Sequence, residues 1–250
     1  MKILVLGHKG MLGNAVSKYM CKQNHKVEHI EEQWPSYEFK EAVKDFDGDI
    51  IINCIGWIPQ KHTAEDTSHL KINYELPIWL DSRERHQWMR IIHPGTDCEM
   101  DDDFYGKSKK IASDYLKEHG QRTIIIKTSI IGHELDGQTN SLLGWFLNEE
   151  SVYGFTNAMW NGTTTLEWAK FCEEMITEKK YELDLYPMEN ILHSRCISKY
   201  DLLLEINKAY DKEIEVKSND KEMPNKCLID GWDVKPIYEQ LKELREFYDN

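Results

Sequence analysis

No apolar run in this 250-residue chain is long enough to cross a bilayer. The apolar start is only a few residues long and runs straight into glycines, which is unlike a secretion signal. The six cysteines (Cys21, Cys54, Cys98, Cys172, Cys196 and Cys227) are scattered, with no Cys-x-x-Cys pair, and the ten histidines lack zinc-ligand spacing. The sequence therefore predicts reduced thiols, a cytoplasmic location and no metal. Positive charge is also scarce: 31 Lys and Arg stand against 44 Asp and Glu, a formal net charge of −13. That balance argues against nonspecific nucleic-acid binding and against docking on anionic membranes. An anionic small ligand stays open, because it needs only a local cationic site. Internal repeats and low-complexity linkers are absent too.

What is present is globular. Hydrophobic residues make up 40% and charged residues 30%, a balance that suits a folded, soluble chain. Its length fits one sizeable α/β domain with an appended lobe. The chain opens Lys2-Ile-Leu-Val-Leu-Gly-His-Lys-Gly-Met-Leu-Gly13. Ile3 to Leu6 is too short for a helix and right for a buried strand. Gly7, Gly10 and Gly13 follow, and Asn14 to Cys21 reads as a helix. Strand, glycine turn and helix together place a pyrophosphate at a helix N-terminus. Gly7 permits the tight turn, Gly10 lets backbone approach phosphate, and Gly13 lets the helix pack on the strand. The spacing is Gly-x-x-Gly-x-x-Gly, which differs from the plain Gly-x-Gly-x-x-Gly fingerprint.

Further on, Lys26 to Ile30 reads as a second strand that ends in Glu31-Glu32. An acid there accepts from an adenosine ribose and favours NADH, whereas Lys9 in the glycine turn would meet a 2′-phosphate, so NADH and NADPH both stay open. Tyr37 to Phe46 reads as a short helix. Ile50 to Ile52 predicts a central parallel strand with Asn53 at its C-terminal end, where open α/β sheets bind ligands. Lys61 to Leu70 is irregular, and Ile72 to Arg83 is helical with Pro77 as a kink or a start. Arg90 to His93 and Thr123 to Lys127 are strands flanking a helix from Phe104 to His119. Strands alternating with helices predict a doubly wound parallel sheet. From about Gly132 the rhythm breaks: helices are expected at 142–148, 166–177, 199–210 and 237–247, with an extended Tyr181 to Tyr186.

Tyr105 and Lys109 are four residues apart, so on a helix they share a face. A tyrosine titrates ordinarily near pH ~10, and a neighbouring ammonium favours its phenolate. Such a pair can protonate a carbonyl oxygen while hydride reaches its carbon. Thr96, after a strand, can hydrogen-bond the same oxygen. Asp101, Asp102 and Asp103 offer negative charge to the start of the following helix. Cys98 reads as a turn thiol, and His93 and His133 as structural.

The glycine set, Asn53, Thr96-Asp97 and Tyr105/Lys109 together resemble the extended short-chain dehydrogenase/reductase family, and within it the dTDP-4-dehydrorhamnose reductase group. Asn73 in Ile-Asn-Tyr-Glu-Leu-Pro, the segment Lys127 to Gly132 and the stretch Gly154 to Thr165 extend the likeness over most of the chain. The resemblance implies a Rossmann-like nucleotide domain over 1–132 and a small substrate lobe over 133–250, interleaved as one compact unit. It implies NADPH or NADH held by Gly7, Lys9, Gly10, Met11, Leu12, Gly13, Glu31, Asn53, Cys54, Ile55, Gly56, Asn73, Tyr105, Lys109 and Ser129. It implies a nucleotide-sugar held by Trp57, Thr96, Asp97, Ile130, Asn157 and Trp160. The implied reaction reduces the 4-keto group of a nucleotide-activated deoxysugar for glycan or surface polysaccharide synthesis. Tyr105 is then the general acid, Lys109 lowers its pKa and holds the nicotinamide ribose, and Thr96 orients the carbonyl.

Three departures stand out. Gly95 replaces a serine, Ile130 replaces a tryptophan used against the sugar, and the segment Asp97 to Phe104 is much shorter than the family's loop. An epimerase or dehydratase, or a non-catalytic nucleotide-binding subunit, are the alternatives. A homodimer through helices around 73–88 and 104–119 is a candidate assembly, as is common on this fold.

Overall fold

The structure is a computed structural model and describes residues 1–59, 67–82, 89–135, 137, 139–177 and 188–249. The chain divides into two compact units, Met1–Lys127 with Ala169–Asn190, and Thr128–Trp168 with Ile191–Asn250. The extended stretch expected over Tyr181–Tyr186, residues 61–66 of the stretch expected to be irregular and the predicted helix end at Arg83 lie outside the described residues, and the end of that irregular stretch, Ser68–Leu70, is helical.

In the first unit, strands and helices alternate: β1 (Lys2–Leu6), α1 (Met11–Lys22), β2 (Lys26–His29), α2 (Tyr37–Asp45), β3 (Ile50–Asn53), α3 (Ser68–Leu70), α4 (Leu76–Asp81), β4 (Arg90–Pro94), α5 (Phe104–His119) and β5 (Thr123–Lys127). The strand order is β5-β4-β3-β1-β2, and each of these pairs is parallel. A strand flanked by two others and covered on both faces excludes water throughout, so it reads as an unbroken apolar run. Ile50 to Ile52 of β3 is such a run, Ile124 to Ile126 of β5 is equally unbroken, and all six side chains are buried. Along each strand, alternate residues face one layer. Leu4 and Leu6 of β1, Ile51 of β3 and Ile91 of β4 pack with Phe39 and Val43 of α2 and Leu76 and Leu80 of α4. Each such fully buried side chain contributes about 1.5–3 kcal/mol. The layer therefore holds the strand ends, and the loops after them, in place.

The helix expected from Ile72 onward is interrupted. A π-helical turn, Lys71–Glu75, links α3 to α4. Pro77 lies in the first turn of α4 and has no N–H to donate to the carbonyl four residues back, so the preceding turn opens to a wider ring.

The second unit holds β6 (Ile130–Ile131), α6 (Leu142–Leu147), β7 (Ser151–Phe155), β8 (Met159–Trp160), β9 (Thr163–Thr164) and the start of α7 (Thr165–Thr177). After β10 (Met188–His193) come β11 (Ile197–Ser198), α8 (Lys199–Ala209), β12 (Glu215–Asn219), β13 (Trp232–Asp233) and α9 (Ile237–Asp249). Its strands form short pairs, β6 with β9, β7 with β12, β8 with β11, and the end of β10 with β13. Gln240 of α9 is buried, accepting from the Thr164 N–H at 2.9 Å and donating to the Lys235 carbonyl at 2.7 Å. His133 meets the Tyr210 hydroxyl at 2.7 Å and stands edge-on to Tyr248, a packing role.

The expectation of six reduced thiols fails for two of them. Cys196 and Cys227 form a disulfide, whereas Cys21, Cys54, Cys98 and Cys172 remain thiols. The pair is 31 residues apart, a spacing with no local signature, and only the fold brings the two Cα atoms to 5.9 Å. The bond fastens an irregular stretch after β12, which is otherwise held by Lys226 N–H on the Met159 carbonyl and by Asn161, whose amide brackets the backbone of Leu228. Closing a loop of this length stabilises by about 4 kcal/mol in the chain-entropy model. A Cys196→Ser/Cys227→Ser chain is expected to lose about 3–4 kcal/mol of unfolding free energy in urea titrations. A loss below about 1 kcal/mol would mean the bond contributes little there.

Candidate active site

The sheet reverses direction between β1 and β3: chain order runs outward to β2 on one side and to β4 and β5 on the other. Ligands in open α/β sheets bind at such a switch point, outside the carboxyl ends of the strands. The two loops that leave it touch. A Cβ on Gly7, whose φ is +75°, would lie 3.0 Å from the Ile55 nitrogen and 3.1 Å from the Cys54 carbonyl carbon. A Cβ on Gly13 would strike the Gly7 carbonyl oxygen at 2.2 Å, so the helix rests directly on the turn. A Cβ on Gly10 would meet only the Gly7 oxygen, at 3.3 Å.

Helix starts leave N–H groups without intrahelical acceptors. Side chains cap α2, α5, α6 and α8 through Ser36, Asp103, Ser141 and Ser198. The Asp103 cap accepts from the Gly106 N–H at 2.6 Å, which is the service the acidic run was expected to give. Helix α1, by contrast, starts at Gly10 with no side-chain cap. The donors of Met11, Leu12 and Gly13 there suit a pyrophosphate, and open space above Gly10 suits its approach. The residues present therefore fit a dinucleotide.

Lys9 and Glu31, the opposed signals for the cofactor's ribose, meet each other. They form an ion pair, and His8 Nε2 lies 3.1 Å from the same carboxylate. Hydrogen bonding to Lys9 lowers the Glu31 pKa. The His8 ring stacks on His29 at 4.3 Å.

Asn53 at the end of β3 is fully buried, and its Oδ1 accepts from the Ile55 N–H at 3.1 Å. Asn73, in the π turn, holds the next part of that loop. Its Oδ1 accepts from the Trp57 N–H and its Nδ2 donates to the Trp57 carbonyl, both at 2.9 Å, and Nδ2 lies 3.2 Å from the Ser108 hydroxyl of α5. The sequence pattern named Asn73 and left Ser108 unremarked. Beside them, buried His69 presents its ring edge-on to Tyr105 at 6.2 Å.

After β4, Thr96 accepts from the Cys98 N–H at 3.2 Å and donates to Asp97 at 3.3 Å. Gly95 before it has a structural reason: a Cβ there would meet Lys127 Cβ at 2.9 Å. Lys127 in turn pairs at 2.5 Å with buried Glu99, which also accepts from Ser113 at 2.8 Å. Tyr105 is half-buried on α5, close to Thr96. Burial pushes its pKa well up, Thr96 draws it down, and Cys98, Asp97 and Asp103 push it further up. Lys109 is buried, with Nζ donating to the Pro94 carbonyl and 3.1 Å from His93 Nε2. Burial lowers its pKa to about 8, against an opposing pull from Glu99.

The first unit thus brings together Gly7, Lys9, Gly10, Met11, Leu12, Gly13 and Glu31 at one loop, Asn53, Cys54, Ile55, Gly56, Trp57 and Asn73 at the next, and Thr96, Asp97, Tyr105 and Lys109 at the third. Ser129, Ile130, Asn157 and Trp160 belong to the second unit. There, Ser129 accepts from the Thr163 N–H at 2.8 Å, and Ile130 pairs with Thr163 in β6–β9. Asn157 is exposed and donates to the Asp220 carbonyl at 2.7 Å, and Trp160 is buried in β8.

No family model and no curated protein matches this sequence. Solved structures do. A dTDP-4-dehydrorhamnose reductase from Clostridium acetobutylicum is 20% identical over all of both chains, with a TM-score of 0.72. Another from Bacillus anthracis, in complex with NADP, is 13% identical over 98% of each chain, with a TM-score of 0.77. A UDP-glucose 4-epimerase from Thermotoga maritima, with UDP-glucose, is 13% identical over 100% of this chain and 99% of the other, with a TM-score of 0.74. At these identities the likeness establishes architecture: the chain has the Rossmann-like α/β fold on which those sugar-nucleotide reductases and epimerases are built.

Proposed function

We propose that this chain binds NADH or NADPH along the Gly7–Gly13 turn and reduces the 4-keto group of a nucleotide-activated deoxysugar. The observation that carries the reading is Tyr105 on α5 close enough to Thr96 for Thr96 to draw its pKa down, with Lys109 buried one helical turn on, in the same unit as a glycine turn whose helix start is uncapped. The bound nicotinamide supplies the hydride. Tyr105 gives its phenolic proton to the oxygen as charge develops there, and Thr96 orients that oxygen. Lys109 restores the proton and holds ribose hydroxyls. Trp57, Ile130, Asn157 and Trp160 are the candidates for the sugar-nucleotide side, and Ser129 for the cofactor. The Lys9–Glu31 pair leaves either cofactor a partner: a ribose diol for the carboxylate, or a 2′-phosphate for the ammonium.

Fluorescence titration of the purified chain with NADH and NADPH, followed by a panel of 4-keto-6-deoxy nucleotide-sugars, tests this reading. Binding of at least one cofactor and its oxidation by one sugar is expected. Binding without turnover would shift the reading to a nucleotide-binding subunit, and no binding would end it. One observation favours a second reading. Half-buried Cys98 donates its N–H to Thr96 and places Sγ 3.5 Å from an Asp97 carboxylate oxygen, so a thiol able to shuttle a proton lies beside the carbonyl-orienting threonine. Running the same assay in deuterated water separates an epimerase from a plain reductase, because only the former exchanges a ring proton with solvent.

A further inference from the structure

Donor and acceptor bookkeeping around Lys109 gives a direction to a buried chain. The Ile55 N–H, a backbone donor that cannot turn, faces Asn53 Oδ1 at 3.1 Å. This fixes the side-chain amide, and its NH2 group faces His93 Nδ1 at 3.1 Å. An amide nitrogen only donates, so Nδ1 carries the lone pair and the neutral ring carries its proton on Nε2. That Nε2 lies 3.1 Å from Lys109 Nζ. A free amine has one lone pair to receive it, and an ammonium has none.

With an ammonium at Lys109, two donors face each other somewhere in the chain. Moving the ring proton to Nδ1 shifts the conflict to Asn53, and flipping Asn53 shifts it to the Ile55 N–H. Water cannot relieve it, because Asn53, His93 and Lys109 are 0%, 1% and 4% exposed. We propose that Asn53 and His93 are positioning residues that bias Lys109 toward its free amine and so set the pH at which it exchanges a proton with the reaction centre.

The other charged groups around it do not reverse this bias. Glu99 pulls toward the ammonium, yet it is itself paired with Lys127 and bonded to Ser113. His93 stays neutral, since burial and Lys109 both hold its pKa well below the usual range. Lys109 titrating near 8 agrees with the chain's direction. The catalytic consequence rests on the proposed reductase. Once Tyr105 has given its proton to the substrate oxygen, the Lys109 ammonium breaks one N–H bond and the phenolate forms one O–H bond. Lysine is left as the amine that the chain favours, and solvent later returns one proton to it.

The test is NMR titration of the full, cofactor-free chain carrying ε-13C lysine, with Lys109→Met identifying the signal. A midpoint near 8 is expected for the unaltered chain, and a midpoint near the ordinary ~10.4 would overturn the proposal. Asn53→Asp reverses the chain: the carboxylate accepts from both Ile55 N–H and His93 Nδ1–H, and Nε2 then accepts from the ammonium. Its midpoint is expected to rise to pH ~10, a proton concentration about a hundredfold lower. His93→Leu separates direction from added charge. It removes the donor that faces Nζ, so the midpoint is expected to rise. If burial alone held Lys109 low, losing a polar neighbour would lower the midpoint or leave it, and that result would sink the proposal. Because these readings need no turnover, a chain that titrates as expected yet oxidises no cofactor would refute the reductase and leave the buried chain standing. In an active enzyme, the kcat–pH limb moves with the NMR midpoint.

Discussion

Tyr105→Phe is expected to lower cofactor oxidation about 10²–10⁴-fold while NADH or NADPH affinity and the thermal midpoint stay nearly unchanged. The expectation rests on which proton state the site keeps. Burial drives the phenol's pKa up, with Cys98, Asp97 and Asp103 acting in the same direction, so the group is protonated across the neutral range. That is the state required of an acid. Thr96 draws the phenol down. Lys109, four residues on, spends its contacts on His93 and Pro94. The phenol therefore gives up its proton when negative charge builds on a nearby oxygen, and the rate falls when there is no proton to give. Turnover measured on wild type and variant at equal cofactor saturation decides it. A fall of only a few-fold would move the acid elsewhere, with Cys98 next in line.

The contrast between Tyr105 and Lys109 also marks how far the sequence could be read. The strands were legible because parallel pairing and burial on both faces demand long apolar β-branched runs, and Ile50–Ile52 and Ile124–Ile126 carry that demand in plain view. The glycine turn was legible because the left-handed Gly7 and the close backbone approach at Gly13 can be met only without side chains. Contacts between distant segments were not legible. His93 reads as one polar residue in a strand, and only the pairing of β3 with β4 and the packing of α5 place it between Asn53 and Lys109. Gly95 looked like a departure from a motif, and its reason lies on the neighbouring strand at Lys127. The π turn at Lys71–Glu75 needed Pro77 to be placed inside the helix's first turn, which periodicity alone leaves free. The Cys196–Cys227 bond had no local signature at all.

Two glycines with the same apparent meaning are expected to fail in different ways. Gly13→Ala places a methyl group 2.2 Å from the Gly7 oxygen, 2.7 Å from its carbonyl carbon and 2.9 Å from His8 Cα, all of them backbone. None can swing aside, so α1 must lift off the turn. A loss of about 1–3 kcal/mol in unfolding free energy is expected. Cofactor affinity should fall with it, because the uncapped donors of Met11 and Leu12 move with the helix. Gly10→Ala is the opposite case. Its backbone is extended, with φ −81° and ψ 166°, and its new methyl group meets a single oxygen at 3.3 Å. Stability should fall by only about 0.5–1 kcal/mol, the difference between glycine and alanine at a helix start. Affinity for the dinucleotide should still drop at least tenfold, about 1.4 kcal/mol, because the methyl group fills the space through which phosphate approaches backbone. Urea unfolding and cofactor titration on both variants separate the roles. Equal stability losses would mean that α1 does not rest on Gly7 as described. Unchanged affinity in Gly10→Ala would mean that the phosphates take another path, and the anion site would have to be sought away from the start of α1.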